Sequence, residues 1–198
     1  MIVLLDNQDS FVYNLVDALA EYESVVFRNT VDADSILALD PSLIVLSPGP
    51  GYPADAGCMP ELIRRAQGSV PMLGICLGYQ ALVEHFGGTI QPCGPVHGVS
   101  DTMTLTSEGL ACGLFDGMTV DDIPGHPGRD VPVARYHSLG AVSLPAGMHT
   151  LARTGDIVMA AATDDGMSIG LQFHPESILT PAGPTMLRRC VDKLKKGN

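Results

Sequence analysis

The sequence predicts an α/β fold with a mostly parallel central sheet, flanked by helices, and a smaller antiparallel β portion. Up to Gly88, short apolar segments alternate with segments of helical periodicity, which is typical of parallel strands covered on both faces. Beyond Gly88 the segments are shorter and strand-like, and they indicate antiparallel pairing. The 198 residues, 45% hydrophobic and 17% charged, are enough for a buried core. We therefore expect one domain over residues 1–198.

In the first half, apolar segments predict strands over residues 2–5, 24–28 and 43–46. A helix after the first strand is expected to have Asp9 or Ser10 as its N-cap and to bury one face. That face carries Phe11, Leu15, Ala18, Leu19 and Tyr22. The next two helices are predicted over residues 32–39 and 59–66. A fourth strand, residues 71–73, leads towards Cys76, and a helix over residues 81–86 ends at two glycines.

The second half contains six strand-like segments and a last helix from Met186 to Lys196, which has lysines in its closing turns. The strand-like segments cover residues 89–91, 103–106, 131–136, 148–151, 157–162 and 168–172. Residues 121–130 form a polar loop rich in proline and glycine, which looks like an insertion. We assign this loop no chemistry.

The composition limits the classes of partner. A net charge of −11 disfavours nucleic acids and anionic membrane surfaces, because both require basic patches. The apolar run at the N-terminus is too short for a signal peptide or a membrane span, so we expect a cytoplasmic protein. Five cysteines without paired spacing suit a reducing compartment, and no zinc-ligand motif is visible. All except Cys76 are expected to be buried, unreactive side chains.

Residues 74–80, Gly-Ile-Cys-Leu-Gly-Tyr-Gln, have the pattern of a nucleophile elbow centred on Cys76. Gly74 and Gly78 would allow close packing of a strand and a helix around the turn. The amides at the start of the helix favour negative charge, which lowers the pKa of a thiol and can stabilise an oxyanion. The motif predicts a reactive thiol, although buried cysteines are common and usually inert.

A base for this thiol is available in residues 171–177, Leu-Gln-Phe-His-Pro-Glu-Ser. His174 can deprotonate Cys76, and Glu176 can orient the imidazole, as the third group of a catalytic triad does. An ordinary surface histidine beside a carboxylate is the alternative interpretation, and the elbow argues against it. Residues 47–53, Ser-Pro-Gly-Pro-Gly-Tyr-Pro, follow the third strand and should lie beside the elbow. The amides of Gly51 and Leu77 are therefore candidates for an oxyanion hole.

Four motifs in this order resemble the class I (triad-type) glutamine amidotransferases over essentially the whole chain. They are the elbow, residues 47–51, Tyr-His-Ser-Leu at 136–139, and Gln-Phe-His-Pro-Glu-Ser at 172–177. The opening Leu-Asp-Asn-Gln-Asp-Ser-Phe at 5–11 resembles the small subunits of anthranilate synthase and aminodeoxychorismate synthase. The resemblance implies a flavodoxin-like fold.

The resemblance also implies the substrate, L-glutamine, and the residues that bind it. Cys76, His174 and Glu176 would be catalytic, with Gly51 and Leu77 as the oxyanion hole. Glutamine would be bound by Gly49, Pro50, Gly51, Gln80, Ser138 and Leu139. Ammonia would pass to a chorismate-using synthase subunit in a hetero-oligomer. The resemblance implies no cofactor in this chain, and magnesium is expected only on that partner subunit.

Two departures from the family pattern concern the partner. Tyr79 stands where relatives commonly carry histidine. Val99 directly follows His97 and Gly98, a position where relatives often carry lysine. Both are expected in regions that could contact the partner. The pathway stays open between anthranilate and aminodeoxychorismate synthesis, or one subunit shared by both. Two further possibilities stay open, a catalytically silent binding subunit and a stand-alone hydrolase of γ-glutamyl peptides.

Overall fold

The computed structural model describes residues 1–196, and its main feature is one nine-stranded mixed sheet. The strands are β1 (Ile2–Asp6), β2 (Ser24–Arg28), β3 (Leu43–Leu46), β4 (Met72–Ile75), β5 (Gln91–Pro92), β6 (Val99–Leu105), β7 (Asp130–Arg135), β8 (Leu139–Gly140), β9 (Met148–Thr154), β10 (Ile157–Thr163) and β11 (Ser168–Leu171). The helices are α1 (Val12–Ala18), α2 (Ala33–Leu37), α3 (Met59–Ala66), α4 (Leu77–His85), α5 (Ser107–Ala111) and α6 (Gly183–Lys196), with a 3₁₀ turn at Pro53–Asp55.

The strand order is β2-β1-β3-β4-β11-β10-β9-β6-β7. The first five strands in this order are parallel, and the remaining four continue the sheet with antiparallel pairing. The predicted fold class is confirmed. The pairing of β11 differs from the antiparallel pattern expected for the second half, because β11 runs parallel to β4 and pairs Leu171 with Ile75. This long-range pairing brings the residues after β11 next to Cys76.

The core has two layers because alternate residues of each central strand face opposite sides of the sheet. Ile2 and Leu4 pack with α1 and α6, whereas Val3 and Leu5 pack with α2, α3 and α4. Helices therefore cover both faces of the parallel half, as expected for this class of sheet. The carboxyl edge of the parallel strands stays open between the layers, which is where ligands bind in such folds.

Several predicted elements have different bounds in the structure. The predicted N-cap of α1, Asp9 or Ser10, is wrong: the N-cap is Phe11, which is 45% exposed and was expected in the core. The Asp9 carboxylate accepts a hydrogen bond from the Phe11 amide instead. Helix α4 starts four residues earlier than predicted, at Leu77. Helix α5 was not predicted, and its N-cap is Thr106, which accepts from Gly109 N.

The predicted loop 121–130 is structured by its own aspartates. Asp121 accepts hydrogen bonds from the amides of Arg129 and Asp130, and Asp122 accepts one from Gly128. Aspartates at the start of the loop therefore fix its end through hydrogen bonds to backbone amides. Asp130, the last residue of the predicted loop, belongs to β7. Within residues 1–196, no helix has the length and apolar character that crossing a membrane requires.

Candidate active site

Cys76 lies on the turn between β4 and α4, as predicted. Its backbone has φ 49° and ψ −102°, a conformation that costs a non-glycine residue about 1–3 kcal/mol. Hydrogen bonds hold this turn on both sides: Cys76 N donates to Leu171 O at 2.7 Å, and Gln80 N donates to Cys76 O at 3.0 Å. The strained turn is thus fixed by the sheet and by the first turn of α4.

Gly74 and Gly78 allow the turn because neither position has room for a side chain. A Cβ at Gly74 would lie 2.7 Å from backbone atoms of Gly78 and Tyr79. A Cβ at Gly78 would lie 2.3 Å from the carbonyl oxygen of Leu46 in β3. The predicted role of both glycines, close packing of strand and helix, is confirmed.

His174 and Glu176 reach the same edge of the sheet because they follow β11. Nδ1 of His174 is 2.6 Å from Oε1 of Glu176, and the two side chains are 6% and 1% exposed. The backbone of His174 is also fixed, since its amide donates to Ala134 O and its carbonyl accepts from the Thr180 hydroxyl. Because Glu176 occupies Nδ1, Nε2 is the ring nitrogen left for the thiol of Cys76.

The surroundings of His174 favour its protonated form. Burial by itself lowers the pKa of His174, but hydrogen bonding to the Cys76 sulfur and to Glu176, with the charges of both groups, outweighs burial and raises the pKa to about 10. An imidazolium in this position stabilises a neighbouring thiolate, which is the nucleophilic form of cysteine. The ring of Tyr136 packs edge-on against the imidazole, with centroids 4.9 Å apart.

The loop after β3 is held beside the elbow by Asn7. The amide of Asn7 donates to Ser47 Oγ at 2.8 Å, and its side-chain nitrogen donates to Ser47 O at 2.9 Å. Gly49 passes so close that a Cβ there would lie 2.5 Å from Asn7 O and 3.0 Å from the Leu77 side chain. Gly51 is exposed and has φ 79°, a conformation suited to glycine. Both oxyanion-hole candidates therefore lie on segments at the elbow, and their role stays a prediction.

The predicted substrate contacts of Gln80, Ser138 and Leu139 form a separate group. Gln80 Nε2 donates to Leu139 O at 3.0 Å and to Gln172 Oε1 at 3.2 Å, so the side-chain nitrogen is already hydrogen-bonded within the protein. Gln172 Nε2 lies 3.7 Å from Cys76 Sγ. Ser138 is exposed, and its carbonyl accepts from Cys93 N. The structure links this group to the nucleophile through Gln172, and direct contact with substrate stays a prediction.

A cavity of about 270 Å³ opens at Cys76. Its lining consists of Gln8, Asp9, Ser10, Phe11, Pro48, Gly49, Pro50, Cys76, His97, Tyr136 and His174. It therefore brings together four predicted site residues, Gly49, Pro50, Cys76 and His174. The other six predicted site residues lie outside its lining: Gly51, Leu77, Gln80, Ser138, Leu139 and Glu176. Burial raises the pKa of Asp9, opposed by the charge of nearby His174.

Sequence reasoning missed several side chains at this site. Phe11 and Asp9, predicted to be a core residue and a cap, both line the cavity. Gln172 was assigned no role, although its place two residues before His174 could have indicated one. Tyr136 begins the family motif at 136–139 but was assigned no role of its own. His97 reaches the cavity through long-range packing, for which the local sequence carries no signal.

The side chain of Tyr79 is fully buried; Gly170 on β11 leaves room for its ring, since a Cβ there would lie 2.3 Å from the ring. Contact of this region with a partner stays a prediction. One further expectation is wrong. The cysteines expected to be buried include three that are partly exposed, Cys58, Cys93 and Cys112. Within the described residues, no group of three or more His, Cys, Asp or Glu side chains is arranged to hold a metal ion.

A thiol, an imidazole and a carboxylate on the carboxyl edge of a parallel sheet agree with the result of comparison with protein families. The model of the family "Glutamine amidotransferase class-I" matches residues 3–194. The chain belongs to the class I glutamine amidotransferase family.

Within this family, similar proteins are anthranilate synthase components. Anthranilate synthase component 2 of Corynebacterium glutamicum is 58% identical over 98% of this chain and 97% of its own length. The pyocyanine-specific anthranilate synthase component 2 of Pseudomonas aeruginosa is 44% identical over 96% of this chain and 92% of its own length.

Solved structures show the same fold at low sequence identity. A putative GMP synthase subunit from Thermoplasma acidophilum superposes with a TM-score of 0.80 at 22% identity, over 98% of this chain and 94% of that one. A glutamine amidotransferase from Thermotoga maritima gives a TM-score of 0.70 at 14% identity, over 98% and 97%. These likenesses concern the fold.

Proposed function

We propose that this chain is the glutaminase subunit of anthranilate synthase, and that it supplies ammonia for tryptophan biosynthesis. The observation that carries the proposal is the His174–Glu176 pair, held at 2.6 Å beside the strained Cys76 turn. The 58% identity to an anthranilate synthase component 2 along nearly the whole chain supports the pathway. We also propose that residues 1–198 are one cytoplasmic domain.

The proposed reaction is acyl transfer through a thioester. The Cys76 thiolate attacks the side-chain amide carbon of glutamine, and the carbonyl oxygen becomes an oxyanion that the amides of Gly51 and Leu77 stabilise. Protonated His174 then gives its proton to the leaving nitrogen, the carbon–nitrogen bond breaks, and ammonia departs. Water, deprotonated by His174, hydrolyses the γ-glutamyl thioester to glutamate. Glu176 orients His174 and stabilises its cation throughout.

Ammonia released into water would become mostly ammonium and would be lost to a distant acceptor. The name of the relatives, component 2, implies a component 1, and we propose that this partner is a chorismate-using synthase subunit. The two chains would form a hetero-oligomer in which the cavity at Cys76 delivers ammonia to the partner. Any magnesium would be bound by the partner.

The test uses glutamine labelled with ¹⁵N in its side-chain amide, together with chorismate and a purified synthase subunit. Anthranilate carrying ¹⁵N, formed with the wild-type chain and lost with Cys76→Ser, is the expected result. Label that appears only in aminodeoxychorismate, with a subunit that makes this product, would support the glutaminase reaction but overturn the assignment to anthranilate synthesis. No Cys76-dependent release of glutamate with either partner would overturn the glutaminase function.

A further inference from the structure

A hydrogen-bonded chain runs from Asp101 to the backbone near the candidate active site. Arg135 Nη1 forms an ion pair with Asp101 Oδ2 at 2.6 Å, and Arg135 Nε donates to Nε2 of His137 at 3.2 Å. Arg135 and His137 are 6% and 4% exposed. The reaction described above uses neither side chain, so two buried polar groups are left without a role.

These contacts define the tautomer of His137. A guanidinium can only donate, so Nε2 of His137 is the acceptor and carries no proton. The ring proton is therefore on Nδ1, which donates to Leu139 O at 2.9 Å. Burial, followed by the charge of Arg135, lowers the pKa of His137 to about 4, so the ring stays neutral at neutral pH.

The carbonyl of Leu139 joins this series of hydrogen bonds to a second series, which leads through Gln80 and Gln172 to Cys76. It accepts from Nδ1 of His137 and from Nε2 of Gln80, which is bonded in turn to Gln172. Only residues 136–138 separate β7 from β8. A shift of Leu139 therefore moves Ser138 as well. Binding groups must be held within about 0.5 Å of their productive geometry, and buried partners provide that restraint.

We propose that His137 is a positioning residue for glutamine binding. Its Nδ1–H donates a hydrogen bond to Leu139 O, while its Nε2 accepts a hydrogen bond from Arg135. The proposal rests on the proposed function, because the segment 138–139 is assigned there to the substrate. The hydrogen-bond partners of His137 are Arg135 and Leu139, with the Cys93 sulfur also 3.6 Å from Nδ1, and none of them belongs to the triad. Loss of the donor should therefore raise the KM for glutamine and leave kcat nearly unchanged.

Two substitutions separate the donor from the acceptor. In His137→Asn the side-chain nitrogen can occupy the position of Nδ1 and donate to Leu139 O. In His137→Gln the side-chain oxygen can occupy the position of Nε2 and accept from Arg135, and the donor is lost. Because glutamine is the closer match to histidine in size, a role in filling space predicts the opposite order of effects.

The measurements are glutamate release by the chain with its synthase subunit, and protection of Cys76 from iodoacetamide by glutamine, followed on the Cys76 peptide by mass spectrometry. His137→Gln should raise both KM and the half-protecting glutamine concentration about tenfold, the usual effect of losing one buried hydrogen bond. His137→Asn should stay within about twofold of wild type, as should kcat for both variants. Thermal unfolding verifies that each variant is folded.

Arg135→Met provides a second test if His137→Gln does not fold, because it frees Nε2 and allows the other tautomer. It should raise KM severalfold at constant kcat. Equal effects of Asn and Gln, or a fall in kcat at constant KM, would overturn the inference while the wild-type glutaminase still stands. No Cys76-dependent glutamate release by the wild type would overturn the proposed function, and this inference with it.

Discussion

Replacing Gly78 with alanine tests whether the packing of α4 against β3 sets the position of the nucleophile. The new Cβ would lie 2.3 Å from Leu46 O and 2.6 Å from Leu46 Cβ. A shift of roughly 1 Å is needed to restore ordinary van der Waals separation. Since β3 is a central, fully buried strand, we expect α4 to move, and Cys76 and Leu77 at its N-terminus to move with it.

The expected costs follow from this shift. Overpacking costs about 1–3 kcal/mol, and the better helix propensity of alanine offsets about 1 kcal/mol of that. The net loss of roughly 0–2 kcal/mol should lower the Tm by at most a few degrees. A misplacement of about 1 Å at the reacting groups should reduce kcat/KM for glutamine by about 100-fold.

Gly109→Ala is the matched control. A Cβ at Gly109, also inside a helix, would lie 2.0 Å from Leu151 O, so it should cost similar stability. Helix α5 contributes no residue to the cavity at Cys76. Both variants are compared by thermal unfolding and by glutamate release with the synthase subunit. If Gly78→Ala lost stability but was as active as Gly109→Ala, the packing of α4 would not determine the geometry of the nucleophile.

Three further predictions concern the groups around Cys76. Glu176→Gln removes the charge that stabilises protonated His174, so the alkylation of Cys76 by iodoacetamide at pH 6 should slow and kcat should fall by about 10²–10⁴; alkylation at the wild-type rate would show that Glu176 does not act through His174. Cys76 and then Glu176 raise the folded-state pKa of His174 from its ordinary 6.5 to about 10, so the stability that protonated His174 gains from these two groups is fully present below pH 6.5 and is lost as the pH rises through 10. Thermal unfolding between pH 6 and 10.5 should show this loss, with a smaller loss in Glu176→Gln, and an equal loss in both proteins would contradict the contribution of Glu176. Asn7→Ala frees the carbonyl of Ser47 and loosens the loop beside the elbow, so kcat/KM should fall about tenfold; an unchanged value would mean that the backbone bond from Asn7 N to Ser47 Oγ is sufficient.

The sequence was most informative where local chemistry decides structure. The predicted strands β2 and β3 and helix α3 have the predicted bounds, because each is a short segment with a clear apolar pattern and clear flanking residues. The elbow was predictable because two glycines around a cysteine, between an apolar segment and a helical one, are typical of that turn. The start of α1 was not predictable, since the Asp9 side chain bonds the Phe11 amide and the helix begins one residue later.

Features set by long-range pairing were beyond the local pattern. The parallel pairing of β11 with β4 places His174 beside Cys76, and nothing within residues 168–172 indicates that direction. The burial of Tyr79 depends on Gly170, far along the chain, whose missing Cβ leaves room for the ring in the core. The contact of Gln80 with Leu139 O joins residues far apart in the chain, so only the structure reveals it.

The most direct test of the central claim is detection of the covalent intermediate on Cys76. The chain is mixed with glutamine in the presence of the proposed synthase subunit, quenched in acid during turnover, digested and studied by mass spectrometry. A γ-glutamyl thioester on the Cys76 peptide, absent from Cys76→Ser, is the predicted result. Glutamate released at the wild-type rate by Cys76→Ser, or an acyl group on another residue such as Cys93, would contradict it.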